Sequence, residues 1–230
     1  MSNSIKNENQ IGHEFLLKKF PTLKNLFFIQ IGSNDGKTLD PLHDYIKSYS
    51  WKGVLIEPVP YLFKKLLKTY EGIQGLIFEN VAVDKLNGVR KFYQLKENSD
   101  PEVPFWYNLL GTFNKDVILK HKSAIPGFDK YLIEEDIKCM SLDAIIQKHR
   151  INKVDIIHID TEGYDYEIIK LIQFTKLKPE IILFENVHLT ESDFKDCKDL
   201  LVLEGYTLSD LGTDTLAFSD EANISKAIYS

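Results

Sequence analysis

Residues 28–36 read FIQIGSNDG, Phe28 to Gly36: an apolar run that passes directly into two glycines and three small polar side chains. A strand-like stretch followed at once by so permissive a turn is built for something to come close to the backbone, as in the first strand-to-helix turn of a nucleotide-binding sheet. Outward from this stretch, short apolar runs bounded by turn residues recur at 26–31, 53–56, 76–83, 154–159 and 181–184. These predict buried strands. Between them lie helically spaced apolar residues: Leu62, Phe63, Leu66 and Leu67 after the second run, Ile168, Ile169 and Ile172 after the fourth. Alternating strand and helix predict an α/β fold, a mostly parallel sheet with helices on both faces. Beyond Ile181 the pattern becomes strand, a helix ending near Gly205, and two strand-like pieces about a tight turn at Gly212, an antiparallel hairpin at one edge.

A chain of 230 residues, 43% hydrophobic and 27% charged, is expected to form one globular domain over 1–230. Its net charge of −6 disfavours a nucleic-acid partner. Cys139 and Cys197 stand far apart without metal-type spacing, so neither a disulfide framework nor structural zinc is indicated. The opening MSNSIKNENQ is polar and no later run is long enough to span a bilayer, which predicts a cytoplasmic protein without a membrane span. The long interruption at 96–136 predicts a lid or substrate-binding insertion. Its aromatics Phe105, Trp106, Tyr107 and Phe113 either stack on a sugar face and exclude water, or bury the insertion against the core.

Gly32 and Gly36 give G-x-x-x-G, with Asn34 where the dinucleotide fingerprint has its second glycine, so the expected cofactor lacks a pyrophosphate. Glu57 ends the second strand about 20 residues on, where a carboxylate accepts hydrogen bonds from ribose. In NVAVD, Val81, Ala82 and Val83 are placed to flank an adenine, with Asp84 or a backbone group at its amino edge. Asp35, Glu57, Asp160 and Glu185 follow strands on one rim, a field that suits a cation. S-adenosylmethionine combines adenosine, a sulfonium and no phosphate. A plainer reading makes Ser33 and Asp35 turn or capping residues, and Glu57 a solvated cap before PVP.

VDIIHIDTEGYDYEIIKLI carries the fourth strand into an acidic turn with Asp160 and Glu162 at the rim, where Asp160 or Thr161 could equally cap the next helix. FENVHL places Glu185, Asn186 and His188 beside it. Asp160, Glu185 and Asn186 make an oxygen-ligand set for Mg²⁺, which would lower the pKa of an acceptor hydroxyl. His188 offers a metal-free route as general base. His158 alternates with Asp160 along the strand and can face the same side, so it stands as a secondary catalytic candidate beside its plainer reading as a core histidine, and His13, His43, His121 and His149, without metal-type spacing, read as surface groups.

Taken in order, FFIQIGSNDG, WKGVLIEP, NVAVD, LGTF, MSLDAII, VDIIHIDTEGYDYEII, ILFENVHL and DTLAF resemble the FkbM-type methyltransferases, a branch of the Rossmann-like class I enzymes that use S-adenosylmethionine. The resemblance implies a cytosolic O-methyltransferase acting on a hydroxyl of a sugar, glycan or natural product. The expected cofactor site comprises Gly32, Ser33, Asn34, Asp35, Gly36, Glu57, Pro58, Val81, Ala82, Thr112 and Asp160, with Gly111 and Thr112 near the transferred methyl. Many methyltransferases of this fold carry an acidic residue two positions before the first glycine, where this chain has Gln30. Pro58, Pro60 and Tyr61 loosely resemble the Asn-Pro-Pro-Tyr motif of base methylation, but they follow the second strand and not the fourth. Two rivals stand beside this reading: an NAD-dependent oxidoreductase, against which residue 34 speaks, and a nucleoside-binding module without catalysis.

Overall fold

In the computed structural model, which describes residues 24–98 and 102–219, the FFIQI run becomes β1 (Phe27–Ile31), and all of it after Phe27 is buried. It is flanked by two parallel strands, β2 (Lys52–Ile56) and β8 (Ile156–Ile159). Burial on both faces is why these runs are continuously apolar and show no alternation. β3 (Leu76–Glu79) lies parallel beyond β2, and β9 (Ile181–Glu185) parallel beyond β8. The terminal hairpin pairs β10 (Tyr206–Asp210) with β11 (Asp214–Ser219). Its second strand docks antiparallel on β9, so the spatial order is β10-β11-β9-β8-β1-β2-β3.

One face of the sheet buries Ile29, Ile31, Ile157 and Ile159 against α4 (Leu142–Lys148), α5 (Asp165–Ile169) and α6 (Glu191–Leu203), through Leu142, Ile145, Ile168, Ile169 and Leu201. The other face buries Phe28, Leu55 and Ile156 against α1 (His43–Tyr49), α2 (Pro60–Thr69) and Trp51, through Ile46 and Leu66. Both cysteines are buried and unpaired. No helix among the described residues is long and apolar enough to cross a membrane.

The apolar run at 76–83 is not one strand. It breaks after Glu79, and β4 (Ala82–Val83) joins a second sheet of order β4-β7-β5-β6. Asn80 makes the break, because its amide donates to the carbonyls of Glu57 and Pro58 and turns the chain over the end of β2. The second sheet is built on a long antiparallel pair, β5 (Gly88–Leu95) with β7 (Leu132–Met140), registered from Gly88↔Cys139 to Leu95↔Leu132. The region expected to be an insertion over 96–136 therefore rides on this hairpin, and its last residues belong to β7. It contains β6 (Gly111–Thr112), α3 (Lys115–Lys120) and a small core of its own, in which Leu95, Tyr107, Leu110, Ile118 and Phe128 meet. Tyr107 is spent on that core, whereas Phe113 packs edge-on against Phe92 and Tyr164. His13 and the side chain of Phe105 lie outside the described residues.

Candidate active site

β1 and β8 are adjacent in the sheet although the chain runs outward through β2 and β3 between them, and ligands of open parallel sheets bind at such a switch point. A cleft opens at the carboxyl ends of these strands. Of the residues expected to hold a cofactor, Gly32, Asn34, Glu57, Pro58, Val81, Ala82 and Asp160 line it. Leu109, Gly111 and Phe113 of the insertion form an opposing wall, with Glu162 and Tyr164 at one end. The slot is narrow: about 40 Å³ is open to a water-sized body, against roughly 300–1,000 Å³ for a pocket that engulfs a small ligand.

Glu57 is buried at its floor. One carboxylate oxygen accepts from the backbone N–H of Asn34 at 2.8 Å and the other from that of Val59 at 2.7 Å. Burial pushes its carboxyl up to about 7, although these two hydrogen bonds pull the other way. Three carboxylates, those of Glu57, Asp160 and Glu162, face the cleft, and among the described residues lining it there is no lysine or arginine.

Other expected residues are occupied elsewhere. Ser33 is buried beneath the turn, its hydroxyl donating to the Gln30 carbonyl and accepting from the Ile56 N–H. Asp35 holds the turn closed by accepting from the N–H groups of Lys37 and Thr38 and the Thr38 hydroxyl. At Gly36 an added Cβ would stand 2.5 Å from Leu66 and 2.6 Å from Tyr70, so this glycine serves the packing of the turn on α2. Thr112 donates to the Glu162 carbonyl at 2.8 Å and is fully buried, which makes it a tie between β6 and the turn after β8. Asp84 accepts from Tyr164 and Arg90, away from the cleft. Gln30 donates to Asp40 and lies 3.2 Å from Nδ1 of His158. Burial lowers His158 to about 4, and it lies in the core as the plainer of its two readings had it.

At the open end of the cleft the acidic groups gather. Carboxylate oxygens of Asp160, Glu162 and Glu185 lie within 4.8 Å of one another. Burial, then the charges of neighbouring carboxylates, push Asp160 and Glu185 well above the usual range. Next to Glu185, Asn186 donates its amide to the Thr215 hydroxyl and its N–H to the Thr213 carbonyl. Glu162, which the expected ligand set did not include, is carried to this group by a turn in which Glu162 has φ 53° and Gly163 φ 90°. His188 Nε2 lies 3.0 Å from a Glu162 oxygen. Beside it is His121, its ring centroid 5.5 Å from that of His188. The sequence reading placed His121 on the surface, since nothing in its spacing reveals that the insertion folds back over the turn. Nor are His43 and His149 idle surface groups: His43 contacts the Gly36 carbonyl and His149 pairs with Glu79.

A sequence profile of the methyltransferase FkbM domain matches residues 30–208. In three dimensions the chain is similar to the crystal structure of methyltransferase FkbM from Methylobacillus flagellatus KT, with a TM-score of 0.53 and 16% identity. That alignment covers 84% of this chain and 43% of the other, so this chain spans less than half of its relative's length. Weaker similarities are to precorrin-6y C5,15-methyltransferase from Geobacter metallireducens GS-15 (TM-score 0.43, 12% identity, 85% and 81% covered) and Aeropyrum pernix fibrillarin with natively bound S-adenosyl-L-methionine (TM-score 0.42, 11% identity, 85% and 67% covered). No curated protein sequence matches the chain. With most of the sequence matched by one profile, and the fold shared with a solved member, the chain belongs to the FkbM methyltransferase-domain family.

Proposed function

We propose that the cleft binds S-adenosylmethionine and that the protein methylates a hydroxyl of a sugar, glycan or natural product. The observation that carries the reading is a buried carboxylate, Glu57, at the floor of a partly apolar slot that holds two further carboxylates and, among the described residues, no lining cation. That set fits an adenosine with a positive sulfur and offers a diphosphate no cationic side chain among those residues. It therefore disfavours the nicotinamide-dependent alternative, and the acidic surroundings disfavour a nucleic-acid acceptor. When bound, the cofactor supplies an electrophilic methyl group.

In this reading Glu57 accepts from the ribose hydroxyls, Val81 and Ala82 flank the adenine, and Asp160, held toward its neutral form by burial and neighbouring carboxylates, is drawn back toward the carboxylate by the positive sulfur. The acceptor enters at the end where Glu162 and His188 meet. His188 takes the hydroxyl proton, and Glu162 at 3.0 Å favours the imidazolium that results. Because the slot is narrow and one wall belongs to the insertion, binding requires that wall to move, and its return excludes water. Fixing donor and acceptor in contact is worth about 7–11 kcal/mol of barrier, and the base adds roughly 10²–10⁴ in rate.

The test is transfer of labelled methyl from the cofactor to a panel of hydroxyl-bearing sugars and glycosides, using the full-length chain. His188→Ala should reduce turnover by about 10²–10⁴ with little change in cofactor affinity. Cofactor binding with no methyl product on any acceptor class would support a binding module instead.

A further inference from the structure

Three side chains from different parts of the chain converge at the outer end of the cleft: His121, which caps α3 in the insertion, Glu162 in the turn after β8, and His188 in the loop after β9. Each presents one ligand-type atom, and the three atoms lie within 4.8 Å of one another. We infer that His121, Glu162 and His188 form a binding site for a divalent transition-metal ion of the zinc type.

A second observation points the same way. His121 Nε2 and, next to the cluster, Glu185 Oε2 are buried atoms without a hydrogen-bond partner, and Glu162 Oε2 is met by His188 Nε2 at 3.0 Å. Burying such an atom unpaired costs about 1–3 kcal/mol, and more for a charged group. Two such atoms beside the His188–Glu162 pair call for a common partner, and a dication meets this need while also offsetting the repulsion among Asp160, Glu162 and Glu185. The ligand set selects the ion. Two imidazoles and one carboxylate suit zinc and its transition-metal neighbours, whereas Mg²⁺ prefers oxygen ligands alone. The site thus differs from the oxygen set expected at Asp160, Glu185 and Asn186.

Three protein ligands leave a coordination position open, as in catalytic zinc sites. Glu162 belongs both to this cluster and to the lining of the cleft, so the open position is beside the acceptor. The use of the ion, though not its binding, rests on the proposed methylation of a hydroxyl. A Lewis acid here lowers the hydroxyl pKa, taking over from the His188 imidazole whose lone pair it occupies. Because His121 comes from the insertion while Glu162 and His188 come from the turns of the main sheet, the ion also fastens the insertion over the cleft.

The experiment is calorimetric titration of the untagged, chelator-treated full-length chain with Zn²⁺ and, separately, Mg²⁺. One Zn²⁺ per chain should bind and Mg²⁺ should not. His121→Gln and His188→Gln should each weaken Zn²⁺ binding at least about 100-fold, beyond the usual effect of losing an outer-shell partner. His149→Ala, which removes a histidine paired with Glu79 elsewhere, should leave it unchanged. Circular dichroism confirms that each variant is folded, and the visible spectrum with Co²⁺ should lose its imidazole-dependent band in His121→Gln. Failure to bind Zn²⁺, or equal binding by His121→Gln, overturns the site. S-adenosylmethionine is titrated into the same samples: Zn²⁺ binding without cofactor binding removes the methyl-transfer reading and keeps the metal site, and the opposite result removes the metal site alone.

Discussion

Gly32 and Glu57 carry opposite kinds of necessity. A Cβ at Gly32 would lie 1.7 Å from the Asp160 carbonyl oxygen, in a residue already at φ 83°. Gly32→Ala should therefore cost more than about 3 kcal/mol in urea unfolding, whereas Gly72→Ala, at φ 81° with nothing within 4 Å, should cost only about 1 kcal/mol. At Glu57 the necessity is electrostatic. Its folded carboxyl titrates at about 7 against an ordinary 4.5, so the fold binds the extra proton between these values. The stability this group contributes is fully present below about 4.5 and is lost as the pH rises through 7, a change of about 3 kcal/mol. Cofactor affinity should run the other way. If, as proposed, ribose hydroxyls donate to the ionised carboxylate, calorimetry should give tighter binding at pH 8 than at pH 6, by up to about tenfold per unit below 7. The place of Glu57 at the cleft was legible from its distance beyond the turn. The turn-closing bonds of Ser33 and Asp35 match their plainer reading, and the packing of Gly36 had no sequence signal, because small polar residues and glycine close turns as readily as they hold ligands.

Between elements, the tie that matters is Thr112 on β6, donating to the Glu162 carbonyl and accepting from the Asn114 N–H. Thr112→Val should cost about 1–3 kcal/mol and lower turnover, with smaller effect on cofactor affinity, since it loosens the acceptor end and leaves Glu57 in place. The strands of the main sheet were readable because burial on both faces makes them continuously apolar. β5 and β7 were not, because one face of the hairpin is solvated and carries Lys91, Glu134 and Asp136 within the strands. The break at Asn80 was equally hidden, since it depends on a hydrogen bond to the end of another strand. For the same reason the hydrogen bond from Asn186 to Thr215 could not be read: it requires β11 to dock beside β9, a pairing the local sequence does not specify.

For the molecule as a whole, two cores back the sheet and a smaller one holds the insertion, so the cleft lies between a rigid floor and a separately packed wall. The parallel character of the main sheet was implicit in the alternation of strand and helix, whereas its strand order was not. The convergence of His121 with Glu162 and His188 was not, because it arises from a fold-back of the insertion over the sheet. The central claim concerns the cleft's preference for a phosphate-free, positively charged adenosine, and the most direct measurement is parallel calorimetric titration of the full-length protein with S-adenosylmethionine and NAD. One S-adenosylmethionine per chain, weakened at least about tenfold by Glu57→Ala, with no binding of NAD, is the predicted result. Binding of NAD in place of S-adenosylmethionine, or cofactor affinity unchanged in Glu57→Ala, would contradict it.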